Sequence, residues 1–328
     1  MKKNIKIVLL IILSIVLVIL PIVDKNGYHQ LLFDQVLINM IVVMGLNFIT
    51  GLTGQMNLGT AGIFSCGAYA SSLLCMKLNL PVWVGIIAAI LMGFLIGKCL
   101  GYPSLRVKGV YLSLTTIGFS EIVRLVMTNW IDFTGGAQGL QRIPRLQLFG
   151  ITFDNALKNY YLYLVLGVLL AVFAARVVYS KWGRVFKAIR DNVEAVEACG
   201  IDVSKLKILA FTLATMYGCF AGALYANVMG YINPTTFNQD FSINYLVMLM
   251  LGGIGSVPGN IIGAVVVTLV PEFLRFMENY YWLVFSIITL LFAVFLPNGI
   301  VSLFTEKSKH RLGRFWIPKK MKEGRTRQ

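Results

Sequence analysis

Apolar residues in this chain fall in long blocks, with neither the two-residue alternation of strands nor the one-sided stripe of soluble helices. Blocks at 5–23, 32–50, 58–76, 82–100, 110–127, 160–179, 208–228, 243–257, 261–276 and 281–304 approach the length of about 20 residues that carries a helix across a bilayer. The block at 243–257 is short and the one at 58–76 is interrupted, so eight to ten crossings are expected. The pattern predicts an all-α polytopic membrane protein, with a membrane domain over 1–305 and a basic tail over 306–328. The first block has the position of a signal peptide. Its apolar run exceeds the usual ~7–15 residues, and no small-residue cleavage site precedes Asp24, which favours a retained first span.

Composition agrees: 57% of residues are hydrophobic and 13% charged, against about 25% charged in soluble domains. Charge sets the expected orientation. With the N-terminus inside and the blocks crossing in turn, 22 Lys and Arg fall on the inner side and six on the outer. The positive-inside rule then predicts both termini in the cytoplasm. The net charge of +15 reads as attraction to an anionic lipid surface and not as a nucleic-acid site.

Enzymatic chemistry finds little support. His29 and His310 lie far apart, and no His/Cys/Asp cluster has metal-ligand spacing. Cys66, Cys75, Cys99, Cys199 and Cys219 show no CxxC pair and read as small apolar residues. The run Gly93 to Lys98 has one residue too few for a phosphate loop and lies in a span. If ATP drives this protein, another chain must bind it.

Within the blocks, Gly93, Gly97 and Gly101, then Gly218 and Gly222, then Gly259 and Gly263 have helix-packing spacing. Two further runs, Gly51-Leu52-Thr53-Gly54-Gln55-Met56-Asn57-Leu58-Gly59-Thr60-Ala61-Gly62 and Leu251-Gly252-Gly253-Ile254-Gly255-Ser256-Val257-Pro258-Gly259-Asn260, interrupt spans in the two halves. Such paired interruptions mark a translocation path in transporters, and otherwise are tight surface loops; both readings stand. Gln55 and Asn57 are the path candidates there. Glu121 and Arg124, three apart within one span, either neutralise each other or contact substrate. The outer loop at 129–158 is rich in turn residues and either docks a partner or closes a gap.

The remaining polar segment is the island at 180–207, with six basic and four acidic residues. Asp191 is expected to cap a helix over 192–199, with Glu194 placed as in a capping box. Gly200 ends that helix and Asp202 caps the next one. A helix of two turns needs a surface to dock on. The segment is either that docking element or a plain connector.

Glu194-Ala195-Val196 followed by Gly200 is similar to the Glu-Ala-Ala-x-x-x-Gly loop of ABC importer permeases, although that family's later Ile-x-Leu-Pro has no counterpart at Ala210, Thr212 and Leu213. Together with Gly67-Ala68-Tyr69, Arg106-Val107-Lys108-Gly109, Thr116-Ile117-Gly118-Phe119-Ser120-Glu121, Thr134-Gly135-Gly136, Ala188-Ile189-Arg190-Asp191-Asn192, Ala221-Gly222-Ala223-Leu224-Tyr225-Ala226 and both glycine-rich runs, it resembles the LivM-type permease of branched-chain amino acid ABC importers over roughly 40–300. Thr60 departs from the histidine common in relatives.

The resemblance implies a non-enzymatic translocation subunit in a bacterial inner membrane that moves leucine, isoleucine and valine inward by alternating access. It implies a second permease subunit, two cytoplasmic ATPase subunits holding ATP and magnesium, and an extracytoplasmic binding protein; no cofactor is expected on this chain. Arg190, Glu194, Val196 and Gly200 would couple to the ATPase, and Gln55, Asn57, Glu121 and Arg124 would line the path. Other amino acids, urea-like amides or sugars are alternative substrates. An ion-coupled carrier working alone is the alternative class, disfavoured because no unpaired carboxylate is recognised in a span.

Overall fold

The computed structural model describes residue 21 and residues 26–107, 109–148, 151–152, 156–275, 280–295 and 299–301. The expected first span and the basic tail lie outside the described residues. Among these, the chain forms twelve α-helices. They are α1 (Gly27–Leu46, extended by a π-helical turn Asn47–Leu52), α2 (Thr60–Lys77), α3 (Val82–Arg106), α4 (Val110–Asn129) and the short α5 (Ile131–Thr134). Then come α6 (Ala156–Tyr179), α7 (Lys181–Asp191), α8 (Val193–Ala198), α9 (Val203–Met229), α10 (Gln239–Gly252), α11 (Val257–Phe273) and α12 (Tyr281–Phe295). Five are long and apolar enough to cross a membrane: Gly27–Leu52, Val82–Arg106, Val110–Asn129, Leu157–Tyr179 and Val203–Met229. The helices from the other expected blocks are 18 residues (α2), 14 (α10), 17 (α11) and 15 (α12) long.

Burial separates a core from a rim. In α1 and α9, 72% of the apolar window is buried, against 22–28% in α3, α4 and α6. The rim helices turn Leu91, Leu95, Val165 and Leu169 outward. An apolar surface of that extent belongs against hydrocarbon.

Glycine sets how closely the core helices approach. A Cβ on Gly97 would lie 2.5 Å from the Thr212 Cα, and one on Gly93 would lie 2.8 Å from the Met216 Cα, so α3 lies directly on the α9 backbone. Gly67 of α2 meets the Cys219 backbone, and Gly222 of α9 meets the Phe64 carbonyl. Gly259 and Gly263 do the same for α11 against α10. The three glycine sets expected at helix contacts all lie at them. One set of polar groups between the helices pairs internally: Asn39 of α1 donates to Thr268 Oγ1 (2.9 Å) and accepts from the Tyr245 hydroxyl (2.9 Å).

Connections gather at two ends. At one, strand β1 (Leu140–Gln141) pairs antiparallel with β4 (Tyr231–Ile232), and Ile143 N–H donates to the Gly230 carbonyl (3.0 Å). Lys77 Nζ donates to the Asp132 carbonyl there (2.8 Å). A second two-residue pair joins β2 (Gln147–Leu148) to β3 (Ile151–Thr152). The described part of the turn-rich loop is thus tied to the end of α9. The polar island and both glycine-rich breaks lie at the opposite end.

Gly97→Leu should force α3 off α9 at a cost of about 1–3 kcal/mol or more. Gly118→Ala is the control, since nothing lies within 4 Å of its Cβ position. Thermal unfolding in detergent should show a lower midpoint for the first and none for the second; equal midpoints would refute the close contact.

Candidate functional site

The first break begins where α1 widens into its π-helical turn. Thr53 folds back, with its N–H (3.2 Å) and hydroxyl (2.7 Å) both donating to the Ile49 carbonyl. Thr50 Oγ1 donates to the Gln55 carbonyl (3.1 Å). Gly54, at φ 72°, then takes the chain out of helix. Residues 53–59 run non-helically to α2, and α4 satisfies part of their backbone. Leu58 N–H donates to Thr116 Oγ1 (3.1 Å) and Ser113 Oγ to the Met56 carbonyl (3.4 Å). Asn57 closes on itself, its Oδ1 accepting from Gly59 N–H (2.8 Å).

The second break lies between α10 and α11. Gly253 and Gly255 adopt φ 128° and 79°, and Ser256 caps α11 by accepting from Gly259 N–H (3.2 Å). The breaks meet in space. Gly255 N–H donates to Asn47 Oδ1 at 2.8 Å, across 208 residues of sequence. The paired interruptions therefore form one junction.

The polar island reaches the same junction. The segment Lys181–Asp191 is a helix, α7, capped by Ser180 and seated by buried Gly183, Phe186 and Ile189. From its last turn Arg190 Nη1 donates to the Gly51 carbonyl (2.9 Å), where the π-helical turn ends. Its stem lies on Gly54, where a Cβ would come within 2.9 Å of Arg190 Cγ.

Two details of the island differ from expectation. The cap of α8 is Asn192, whose Oδ1 accepts from Ala195 N–H (3.0 Å), and not Asp191. Burial of Phe186 and Ile189 extends α7 through Asp191, so Asn192 becomes the first extended residue. The helix is accordingly six residues, and Glu194 is not in a capping-box position. Val196, expected among the residues that couple to an ATPase, is 7% exposed and belongs to this chain's own core. The surface of α8 that faces outward is Glu194, Ala195, Glu197 and Ala198. Gly200 ends the element at φ 77°, and Asp202 caps α9 by accepting from Lys205 N–H (3.1 Å). That backbone donor, then the Lys205 ammonium, hold the Asp202 carboxyl below its usual range.

The remaining site candidates separate. Gln55 and Asn57 are buried beside the junction, and Gln55 Oε1 has no donor among the described residues. Glu121 and Arg124 pair with each other through two hydrogen bonds, one of 3.0 Å, on the outward face of α4. No hydrogen bond joins the two sets among the described residues. No group of three His, Cys, Asp or Glu gathers there as a metal site. Two features of the structure escaped the sequence. One is the Asn47 link, foreshadowed only by Asn47 standing one turn before Gly51. The other is Asp34, a carboxylate buried within α1 that hydropathy averaging conceals.

A helical bundle crossing the membrane repeatedly, with two helix breaks joined at one end beside a capped polar loop, defines a polytopic permease architecture. Residues 31–294 match the family described as branched-chain amino acid transport system / permease component, and the chain belongs to that family. It is 31% identical over 300 residues to the high-affinity branched-chain amino acid transport system permease protein LivM of Salmonella typhimurium, covering 84% of this chain and 71% of that one. It is 22% identical over 246 residues to the high-affinity branched-chain amino acid transport system permease protein LivH of the same organism, covering 69% of this chain and 78% of that one. The ribose import permease protein RbsC of Haemophilus influenzae is 23% identical over 314 residues, covering 89% of this chain and 91% of that one. No solved structure matches the chain.

Asn47→Leu should leave the Gly255 N–H without its acceptor and cost about 1–3 kcal/mol, while Asn47→Asp keeps an acceptor in place. Protease susceptibility around 251–256 should rise in the first variant and much less in the second. Identical digestion of both would exclude the junction.

Proposed function

We propose that this chain is one permease subunit of an ATP-driven importer that moves leucine, isoleucine and valine into the cytoplasm by alternating access. The complex would hold a second permease subunit, two cytoplasmic ATPases carrying ATP and magnesium, and an extracytoplasmic binding protein. The subunit would lie in the bacterial inner membrane with the island end inward and both termini cytoplasmic, as the distribution of basic residues favours.

The observation that carries this reading is the hydrogen bond from Arg190 to the Gly51 carbonyl. The island holds Glu194, Ala195, Glu197 and Ala198 outward, and its preceding helix grips the end of a broken core helix. An ATPase that displaced α8 would pull α7, and Arg190 would pass that pull to Gly51, Gly54 and, through Asn47, to Gly255. Rigid motion of packed elements about a few glycine positions is a recognised route for domain rearrangement. Gln55 and Asn57 sit where that motion arrives, which suits them to line or gate the path. Val196 acts from inside, fastening α8 to its own subunit.

Glu121 and Arg124 supply the case for a second permease. The pair sits among outward-facing Ile122, Leu125 and Val126, and Glu121 is 48% exposed. Charges are costly against lipid and belong in an interface or a water-lined path. A partner permease packed on α4 would give them that setting.

In vesicles holding the complete transporter, Arg190→Ala and Gly200→Val should each cut ATP-dependent uptake of labelled leucine at least about tenfold while insertion persists. Gly200 has open space around it, so the second change acts through its positive φ. Wild-type uptake in both variants would remove the coupling role, and uptake without ATP would favour a lone carrier. Labelled ribose tests the sugar alternative. Arg124→Glu should lower recovery of the second permease several-fold, and adding Glu121→Arg should restore it; unchanged recovery would place the pair away from that interface.

A further inference from the structure

Asp34 lies early in α1, is 3% exposed, and takes no part in the junction. With Leu31, Arg145, Asn159, Asn227 and Val228 it lines a cavity of about 160 Å³ at the strand end of the molecule. Neither Asp34 Oδ1 nor Asn159 Oδ1 meets a hydrogen-bond donor among the described residues. Asn227 commits its Nδ2 to the Ala223 carbonyl (2.7 Å), so its amide oxygen is the end left for the cavity. The α1 and α6 walls thus offer acceptors and negative charge. A buried carboxylate without a partner is costly, and intramembrane carboxylates are kept where a partner arrives.

The chemistry narrows the partner. It must bring several N–H donors and positive charge to Asp34 and Asn159, which a primary ammonium does. Arg145 is the cation of the lining, and its five donors serve more than one acceptor. A ligand that places an ammonium and a carboxylate on one carbon matches both charges, while Leu31 and Val228 provide an apolar wall. The space is several times a single water's share of about 30 Å³ and suits a side chain of a few carbons. We infer that this cavity binds an α-amino acid, its ammonium on Asp34 and Asn159 and its carboxylate toward Arg145. The choice of leucine as the probe rests on the proposed function; the ammonium site rests on the acceptor set.

The test uses the intact transporter complex in detergent, without its binding protein. Labelled L-leucine should bind saturably, and Asp34→Asn should weaken it at least about tenfold, the scale expected for losing charge-assisted hydrogen bonds. 3-Methylbutylamine, which keeps only the ammonium, should compete in the wild type and lose that ability in Asp34→Asn. Asn159→Leu gives the same comparison should the first variant fail to fold. Leucine binding indistinguishable from wild type in both variants overturns the site, as does wild-type KM for uptake in Asp34→Asn, which leaves the proposed function intact. If the wild type binds no leucine, calorimetry with 3-methylbutylamine decides. Asp34-dependent binding keeps the ammonium site and rejects leucine as the substrate; its absence rejects the site.

Discussion

In the hydrocarbon of a bilayer no water is available to satisfy a peptide group, so any departure from helix must find its partners within the protein. This chain departs twice, after α1 and after α10, and the structure resolves both departures together. Asn47 accepts from Gly255, Arg190 donates to Gly51, and Ser113 and Thr116 on α4 satisfy part of the non-helical run that follows. Separately, each break would strand several backbone groups. Joined, they make a site where non-helical backbone persists at one end of the bundle, and where elements from opposite halves of the sequence are obliged to meet.

The same economy governs the rest of the bundle. Lipid is as apolar as leucine, so burying apolar side chains gives helices little reason to associate, and close contact of backbones has to do so. Glycines of α3 on α9, of α9 on α2, and of α11 on α10 bring main chains within van der Waals reach. Two of these three contacts run along α9. The island end is built on another principle. There α7 and α8 rely on side-chain caps at Ser180 and Asn192 and on Phe186, Ile189 and Val196 buried as anchors.

Much of this was legible in the chain because its causes are local. Block lengths marked the helices, glycine spacing marked the contacts, and glycine-rich polar runs marked the breaks. Gly200 and Asp202 were read correctly because a left-handed terminator and a cap act within one turn of sequence. The misses have non-local causes. Asp191 and Asn192 are both good caps, and only the burial of Phe186 and Ile189 decides that α7 claims the first. The inward turn of Val196 depends on the core it meets. The Asn47–Gly255 bond joins residues that nothing local relates. Asp34 disappears in any average over its apolar neighbours, although one buried carboxylate outweighs many leucines in chemical meaning.

The strand pair at the far end gives the central helix an unusual station. Helix α9 starts at the Asp202 cap beside the island and ends at Gly230, where β1 and β4 clasp the loop that follows α5 to it. Its 27 residues make a rod of about 40 Å at 1.5 Å per residue. A stiff rod fastened at both ends behaves as a connecting strut: tilt at its foot reappears as displacement at its head. One continuous backbone therefore runs from the island to the strand pair and holds the two ends of the bundle at a fixed separation.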